Sequence, residues 1–171
     1  SNNLKIKDIP VLCVTGYYNN PTPHGVKKHF DTLASETGAD IVLYNVPGRT
    51  NSYISADTII ELANNPQFLG VKQAVDFKID GEHREDTLRI LKATKDLPFS
   101  VVSGEDDAVA QLIKDGGTGV ISATANIPEA LKLFVNIIKT GKAGDFAKSL
   151  ELQKALTPYV QACFSRKNPI P

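Results

Sequence analysis

The chain has 171 residues, of which 42% are hydrophobic and 22% charged, and this is enough for a domain with a real core. Lys plus Arg and Asp plus Glu each number 19, so no charge excess favours binding to nucleic acid or an anionic membrane. Because no apolar stretch approaches the ~20 residues that cross a bilayer and the polar start lacks a signal-peptide core, we predict a cytoplasmic location.

Five short apolar runs predict buried strands. They cover residues 11–15, 41–45, 69–73, 99–104 and 119–123. Each run is followed by a loop and a helical pattern, which is typical of βα units around a parallel sheet. An open doubly wound sheet and part of a (β/α)8 barrel both fit, although a full barrel needs roughly 250 residues. No GxGxxG motif follows the first strand, so a dinucleotide-binding sheet is not indicated.

Local chemistry predicts where several helices begin and end. Thr22 and Pro23 suit a cap and first turn, and Gly38 suits the stop of the same helix. Ser55 precedes a second helical pattern, and Pro128 opens a longer one that ends near Gly141. Further helices are predicted around Leu88 and Leu91, from Ala108 to Lys114, and from Phe146 to Phe164.

Polar residues gather where the predicted strands end, which is the edge that carries the site in parallel α/β folds. Lys72 stands out because it lies in an otherwise apolar strand, where a charged amine is costly. Desolvation would favour its neutral form, which can attack a carbonyl. The alternative is a structural lysine whose amine reaches solvent at the strand end.

Two residues on the preceding strand and loop are further candidates. Tyr44 ends the second strand and could relay protons near an amine, or it could be a core tyrosine with a backbone partner. Arg49 could bind a substrate carboxylate with both arms of its guanidinium, or it could be an exposed loop residue.

Other polar groups are interpreted less specifically. Residues 122–126 lead into a helix and could form an anion site if they face the cleft. Residues 105–107 form an acidic run that we expect to be a solvated helix start rather than a cation site. The three histidines lack metal-ligand spacing and are interpreted as surface residues (His24, His29, His83), so no metal is predicted.

Several motifs in register resemble the dihydrodipicolinate synthase family of pyruvate-dependent class I aldolases. They are GYYNNPTPHG (16–25), LYNVPGRT (43–50), LGVKQA (69–74), VSGEDD (102–107), GVISATANI (119–127) and NPIP (168–171). The resemblance implies a (β/α)8 barrel, of which residues 11–125 supply the last five βα units and residues 126–171 the terminal helices. The whole chain is then one partial barrel domain.

The resemblance also implies roles for individual residues. Lys72 matches the lysine that forms a Schiff base with pyruvate, and Tyr44 matches the tyrosine of its proton relay. Tyr18 matches a tyrosine that reaches into a neighbouring subunit's site, and Tyr17 one that borders an allosteric lysine site. Arg49 matches the arginine that orients the second substrate. Ile121 and Gly104 are further substrate-binding candidates, Ile121 through a backbone carbonyl that faces the catalytic lysine.

The implied activity is condensation of pyruvate with aspartate 4-semialdehyde in lysine biosynthesis, by a homo-oligomer (a dimer of dimers) that needs no cofactor. Two alternatives remain open. One is another lyase of the superfamily, acting on N-acetylneuraminate or 2-keto-3-deoxy sugar acids; the other is a non-catalytic paralogue. The pair Arg49-Thr50 and the closing NPIP favour the condensation of pyruvate with aspartate 4-semialdehyde over the reactions of the other lyases.

The chain departs from the family pattern at several positions. Gly16 stands where members usually have Pro, and Gln73 where they usually have Glu; Val75 and Asp76 replace a Thr/Ser-Gly pair. These changes are expected beside the site, where they bear on substrate fit. The family's Gly-Thr-Thr-Gly-Glu loop, which supplies a relay threonine and contacts to the pyruvate carboxylate, is absent from the sequence.

The three βα units expected before Val11 are also absent. The sequence could be the ordered part of a longer enzyme, a clipped chain or a truncated inactive paralogue. We expect a stand-alone fragment least, because leaving three strands out of a closed barrel exposes sheet edges and apolar core.

Overall fold

The computed structural model describes residues 9–166 and Pro169, in an α/β arrangement of parallel strands and helices. Three of the four residues of the closing NPIP motif, and the polar start, lie outside the described residues. The chain divides into two compact units, Ser1–Val101 and Val102–Pro171. Within the described part of the chain, the helices are all too short or too polar to pass through a membrane.

Five strands form the sheet and are hydrogen-bonded in chain order. They are β1 (Val11–Cys13), β2 (Ile41–Asn45), β3 (Phe68–Gln73), β4 (Ser100–Ser103) and β5 (Gly119–Val120). All five predicted strands are therefore confirmed, although the first, fourth and last are shorter than their apolar runs. Because parallel neighbours point the same way, the ends of β2 and β3 meet at one edge of the sheet.

The described residues of the first unit form four helices. They are α1 (Pro23–Thr37), α2 (Pro47–Thr50), α3 (Ala56–Leu62) and α4 (Arg84–Thr94). The Thr22 hydroxyl accepts a hydrogen bond from the backbone of Gly25, and Gly38 closes α1 in the left-handed conformation, as predicted. Phe30 of α1 and Phe68 of β3 are fully buried, with their rings edge to face. These contacts hold the helical layer on the sheet.

Three helices with a shared core lie in the part of the second unit that the structure describes. They are α5 (Val109–Lys114), α6 (Pro128–Lys142) and α7 (Phe146–Cys163), with a short 3-10 helix (Thr124–Asn126) before α6. Their inner faces bury a cluster that includes Ile113, Phe134, Ile137 and Leu156. Asp145 caps α7 by accepting a hydrogen bond from the backbone of Lys148.

One irregularity in the first unit decides which residues of β2 and β3 face each other. Ile41 pairs with Phe68, but Val42 pairs with Gly70, so β3 carries one extra residue at Leu69. From that bulge onward Tyr44 lies beside Lys72 and Asn45 beside Gln73. A regular ladder from Ile41 would have placed Lys72 beside Asn45 instead, because one residue of slip moves every later side chain to the other face.

Candidate active site

Lys72 and Tyr44 form the centre of the candidate site. Both side chains are half-buried, and the Lys72 amine lies over the Tyr44 ring, 4.3 Å from its centroid. An ammonium over the face of an aromatic ring is attracted by the ring quadrupole. The structure thus brings the predicted nucleophile and the predicted proton carrier together, with the amine against the ring face.

Arg49 lies on α2, which begins two residues after β2 ends. Thr50, fully buried on the same turn, donates its hydroxyl to the carbonyls of Val46 and Ser52, and this closes the turn on itself. Arg49 is exposed and so is directed away from that buried anchor. The turn places Arg49 four residues after the end of β2, which carries Tyr44.

Tyr17 and Tyr18 lie on the segment between β1 and α1, and both are strongly exposed. Tyr18 is 91% exposed and has a positive φ of 74°, which is costly for a bulky residue. Gly16, two residues earlier, has a φ of 87°, which the ring of the family's usual proline could not adopt. Tyr18 is therefore presented outward at a backbone cost, away from this chain's own core.

Gly104 and Ile121 belong to the second unit. Gly104 directly follows β4, and Ile121 directly follows β5. The Ile121 N–H donates to the carbonyl of Ser103, so the two predicted binding residues lie at neighbouring strand ends. Ile121 is 40% exposed.

Gln73 does not belong beside the site, where it was predicted. Side chains alternate along a strand, so Gln73 projects from the face opposite Lys72 and is fully buried. Its carbonyl accepts from the Asn45 amide at 2.9 Å, and its own amide donates to the Thr87 hydroxyl at 3.3 Å. The Asn45 side chain also makes two hydrogen bonds with the backbone of Ile54: it donates to the Ile54 carbonyl and accepts from the Ile54 N–H.

Asp106 is not part of a solvated acidic helix start, and that expectation is wrong. Its side chain is buried and accepts a hydrogen bond from the Thr124 hydroxyl at 2.6 Å. Its carbonyl accepts from Gln153 of α7, whose own carbonyl oxygen accepts from the backbone of Ala110. Residues 122–126 were predicted as a possible anion site, but two of their side chains already make hydrogen bonds within the protein. The Thr124 hydroxyl donates to Asp106, and the Asn126 amide donates to the carbonyl of Ala123.

Replacing Thr124 by valine removes the hydroxyl that Asp106 accepts from while keeping the side-chain shape. We expect the free energy of unfolding to fall by about 2 kcal/mol, since hydrogen bonds to charged groups contribute more than neutral ones. Urea titration measures the change. Thr140→Val is the matched control, because Thr140 donates only to carbonyls of its own helix. Equal effects of the two substitutions would contradict a special role for the Asp106 contact.

Tyr53 is a structural anchor that the sequence patterns did not reveal. Its hydroxyl donates to Asp86 of α4 at 2.8 Å, and its ring stacks on His83 at 4.3 Å between centroids. Burial, together with the bond to Asp86, raises the pKa of the Tyr53 phenol. His83 is therefore half-buried against a ring rather than a plain surface residue. Apolar periodicity in the sequence could not indicate these contacts of Tyr53, because Asp86 and His83 are about 30 residues away along the chain.

The features described so far define an α/β chain with parallel strands and with its candidate chemistry at the strand ends. The model of the dihydrodipicolinate synthetase family matches residues 9–171, and the chain belongs to this family. The family resemblance stated from the sequence motifs is therefore confirmed.

Known relatives agree with this membership. The chain is 39% identical over 160 residues to 4-hydroxy-tetrahydrodipicolinate synthase of Methanoculleus marisnigri, covering 94% of this chain and 52% of the relative. A structure reported as the first monomeric dihydrodipicolinate synthase variant superposes with a TM-score of 0.82 at 35% identity, covering 94% of this chain and 52% of that chain. The enzyme of Acinetobacter baumannii, solved with pyruvate, superposes with a TM-score of 0.81 at 32% identity, covering 95% and 53%.

The chain thus spans about half the length of the relatives that it matches. The α/β fold is consistent with part of a (β/α)8 barrel, as the sequence predicted.

Proposed function

We propose that this chain supplies the Schiff-base half of an enzyme that condenses pyruvate with aspartate 4-semialdehyde. The observation that carries the proposal is the Lys72 amine held 4.3 Å over the Tyr44 ring at the ends of neighbouring parallel strands. Family membership supports the same chemistry. The Acinetobacter relative, whose structure holds pyruvate, supports the choice of first substrate.

In the proposed reaction the neutral Lys72 amine attacks the keto carbon of pyruvate. Loss of water gives an imine, and loss of a methyl proton gives an enamine that attacks the aldehyde carbon of the second substrate. Tyr44 would carry protons between the amine, the leaving water and solvent. The iminium is itself the electron sink, so the proposed chemistry calls for neither metal nor organic cofactor.

Arg49 is the proposed anchor for the second substrate. Aspartate semialdehyde carries a carboxylate, and a guanidinium can bind both carboxylate oxygens at once. The exposed position of Arg49 on a turn anchored by buried Thr50 supports this role. The binding roles of Ile121 and Gly104, at the ends of β5 and β4, stay predictions from the sequence.

Tyr18 supports the proposal that the active form is an oligomer. A tyrosine that is 91% exposed and held at positive φ is suited to enter the site of a second subunit, where it would complete the proton relay. Tyr17, 70% exposed on the same loop, is proposed to border a regulatory site for lysine. Light scattering on the protein at its native length measures the number of subunits, and an active monomer would contradict this role of Tyr18.

Turnover assays on the protein at its native length test the proposal. We expect pyruvate consumption with aspartate semialdehyde and none with the amino-sugar or sugar-acid substrates of related lyases. Borohydride with pyruvate should add one reduced pyruvate to the intact mass. Adduct formation with turnover only on sugar acids would favour the other lyase, while absence of both adduct and turnover would leave a non-catalytic paralogue.

A further inference from the structure

A buried chain of amide side chains lies behind the candidate site, on the face of the sheet opposite Lys72. Its members follow the two site residues directly in sequence: Asn45 follows Tyr44, and Gln73 follows Lys72. Asn45 and Gln73 are 0% exposed, and so are Thr87 of α4 and Ile54, which contribute the outer contacts. The chemistry of the proposed reaction does not use these groups, so their polarity in a fully buried place needs another reason.

Asn45 closes the loop that carries Arg49. Its carbonyl oxygen accepts from the Ile54 N–H at 3.0 Å, and its amide donates to the Ile54 carbonyl at 3.0 Å. This paired contact imitates one rung of a β-ladder and ties residue 54 to the end of β2. The residues between, which include α2 and Arg49, are therefore held at both ends. Tyr53, bonded to Asp86, supports the same end of the loop from outside.

Gln73 fixes the direction of the Asn45 amide. The second hydrogen of that amide needs an acceptor, and the Gln73 carbonyl oxygen supplies it at 2.9 Å. The Gln73 amide then donates to the Thr87 hydroxyl at 3.3 Å. Each group is oriented by the next, so removing Gln73 leaves a buried donor on Asn45 without a partner.

We propose that Asn45 and Gln73 are positioning residues, which tie residue 54 to the end of β2 and so set the place of Arg49. Their role rests on the proposed function. Because Arg49 lies within the loop that Asn45 closes, disturbing the amide chain acts chiefly on the second substrate, while imine formation depends on the Lys72 amine itself. The amide chain therefore determines affinity for the carboxylate substrate.

The identity of residue 73 offers a conservative rescue. A glutamate there keeps an oxygen for the Asn45 amide, and its other oxygen can accept from the Thr87 hydroxyl, which is free to act as a donor. Methionine has nearly the same shape but offers Asn45 no comparable acceptor. The two substitutions at one position thus separate hydrogen bonding from packing.

The test compares Gln73→Met and Asn45→Leu with the wild type, in the protein at its native length. We expect the KM for aspartate semialdehyde to rise about tenfold or more, because a small misplacement of an orienting group is costly. The yield of the borohydride-trapped pyruvate adduct at saturating pyruvate should stay near that of the wild type. Gln73→Glu should bring the KM most of the way back to that of the wild type. Gln161→Met, on the exposed side of α7, is the matched control.

Each outcome decides the question. Variants that melt as cooperatively as the wild type, with a KM within about twofold of it, overturn the positioning role. Loss of folded protein in both variants, without recovery in Gln73→Glu, assigns the amides to folding alone and overturns it as well. A wild type that forms no pyruvate adduct points instead to failure of the proposed function. Since Asn45→Leu is the harsher change, Gln73→Met decides the matter if Asn45→Leu does not fold.

Discussion

Replacing Lys72 by methionine is expected to abolish the trapped pyruvate adduct and to lower turnover by roughly 1000-fold or more, because methionine has no amine to form the proposed imine. Methionine retains the length and apolar stem of lysine, so the half-buried position on β3 remains filled. Intact mass with and without borohydride measures the adduct, and peptide mapping of the wild type locates it. A wild-type adduct on a different lysine would contradict the assignment.

Lys72→Arg sharpens this test. Arginine keeps the positive charge over the Tyr44 ring, but its guanidinium stays protonated and cannot attack a carbonyl. We expect a folded protein with no adduct, which separates the role of the nucleophile from that of the charge. If the arginine variant retained turnover, the amine would serve only as a cation.

Lys114→Met is the matched control for this series. Lys114 of α5 also lies over an aromatic ring, with its amine 6.0 Å from the centroid of Phe146. It is exposed on a helix of the second unit and has no place in the proposed reaction. The control should form the adduct as the wild type does. Equal loss in the two methionine variants would show that the defect is not specific to Lys72.

Replacing Gly70 by alanine is expected to have the largest effect on stability. A side-chain carbon at Gly70 would overlap with the carbonyl oxygen of Ser100, and a backbone atom in a strand cannot move aside cheaply. We expect the free energy of unfolding to fall by about 3 kcal/mol, in the upper range for overpacking a filled interior. Thermal melting and denaturant titration measure the loss.

Gly119→Ala is the control for Gly70→Ala. Gly119 also lies in a strand, but the nearest atom to an added carbon is a side-chain carbon of Val102 at 3.8 Å, an ordinary contact. We expect little change there, within about 0.5 kcal/mol. A small effect at Gly70 as well would mean that β3 and β4 can separate without cost. The close approach of the two strands would then not be what determines the position of β3.

The sequence predicted the elements well where local chemistry decides them. Thr22, Pro23 and Gly38 mark the bounds of α1, and Ser55 caps α3 by accepting from the backbone of Thr58. Such caps act within one turn of the chain, so neighbouring residues are sufficient to predict them. The short turn α2 was not predicted, because its anchor is a buried threonine hydroxyl bonded to backbone carbonyls, which no apolar period records.

Side-chain environments were less predictable. Asp106 looked like a solvated acid beside two other acidic residues, yet Thr124 and Gln153 reach it from 18 and 47 residues away. Tyr53 finds Asp86 across 33 residues. Polar partners so distant in sequence are chosen by the packing of helices, and a linear pattern does not encode which pairs will meet.

The sequence alone determined the strands, their order along the chain, the family resemblance and the identity of Lys72 and Tyr44 as residues at strand ends. Only the tertiary structure decided that these two side chains lie together. The extra residue at Leu69 shifts β3 by one position against β2, so Lys72 pairs with Tyr44, while Gln73 is turned to the opposite face. A bulge depends on the hydrogen bonds between two strands, and apolar alternation within one strand does not specify it.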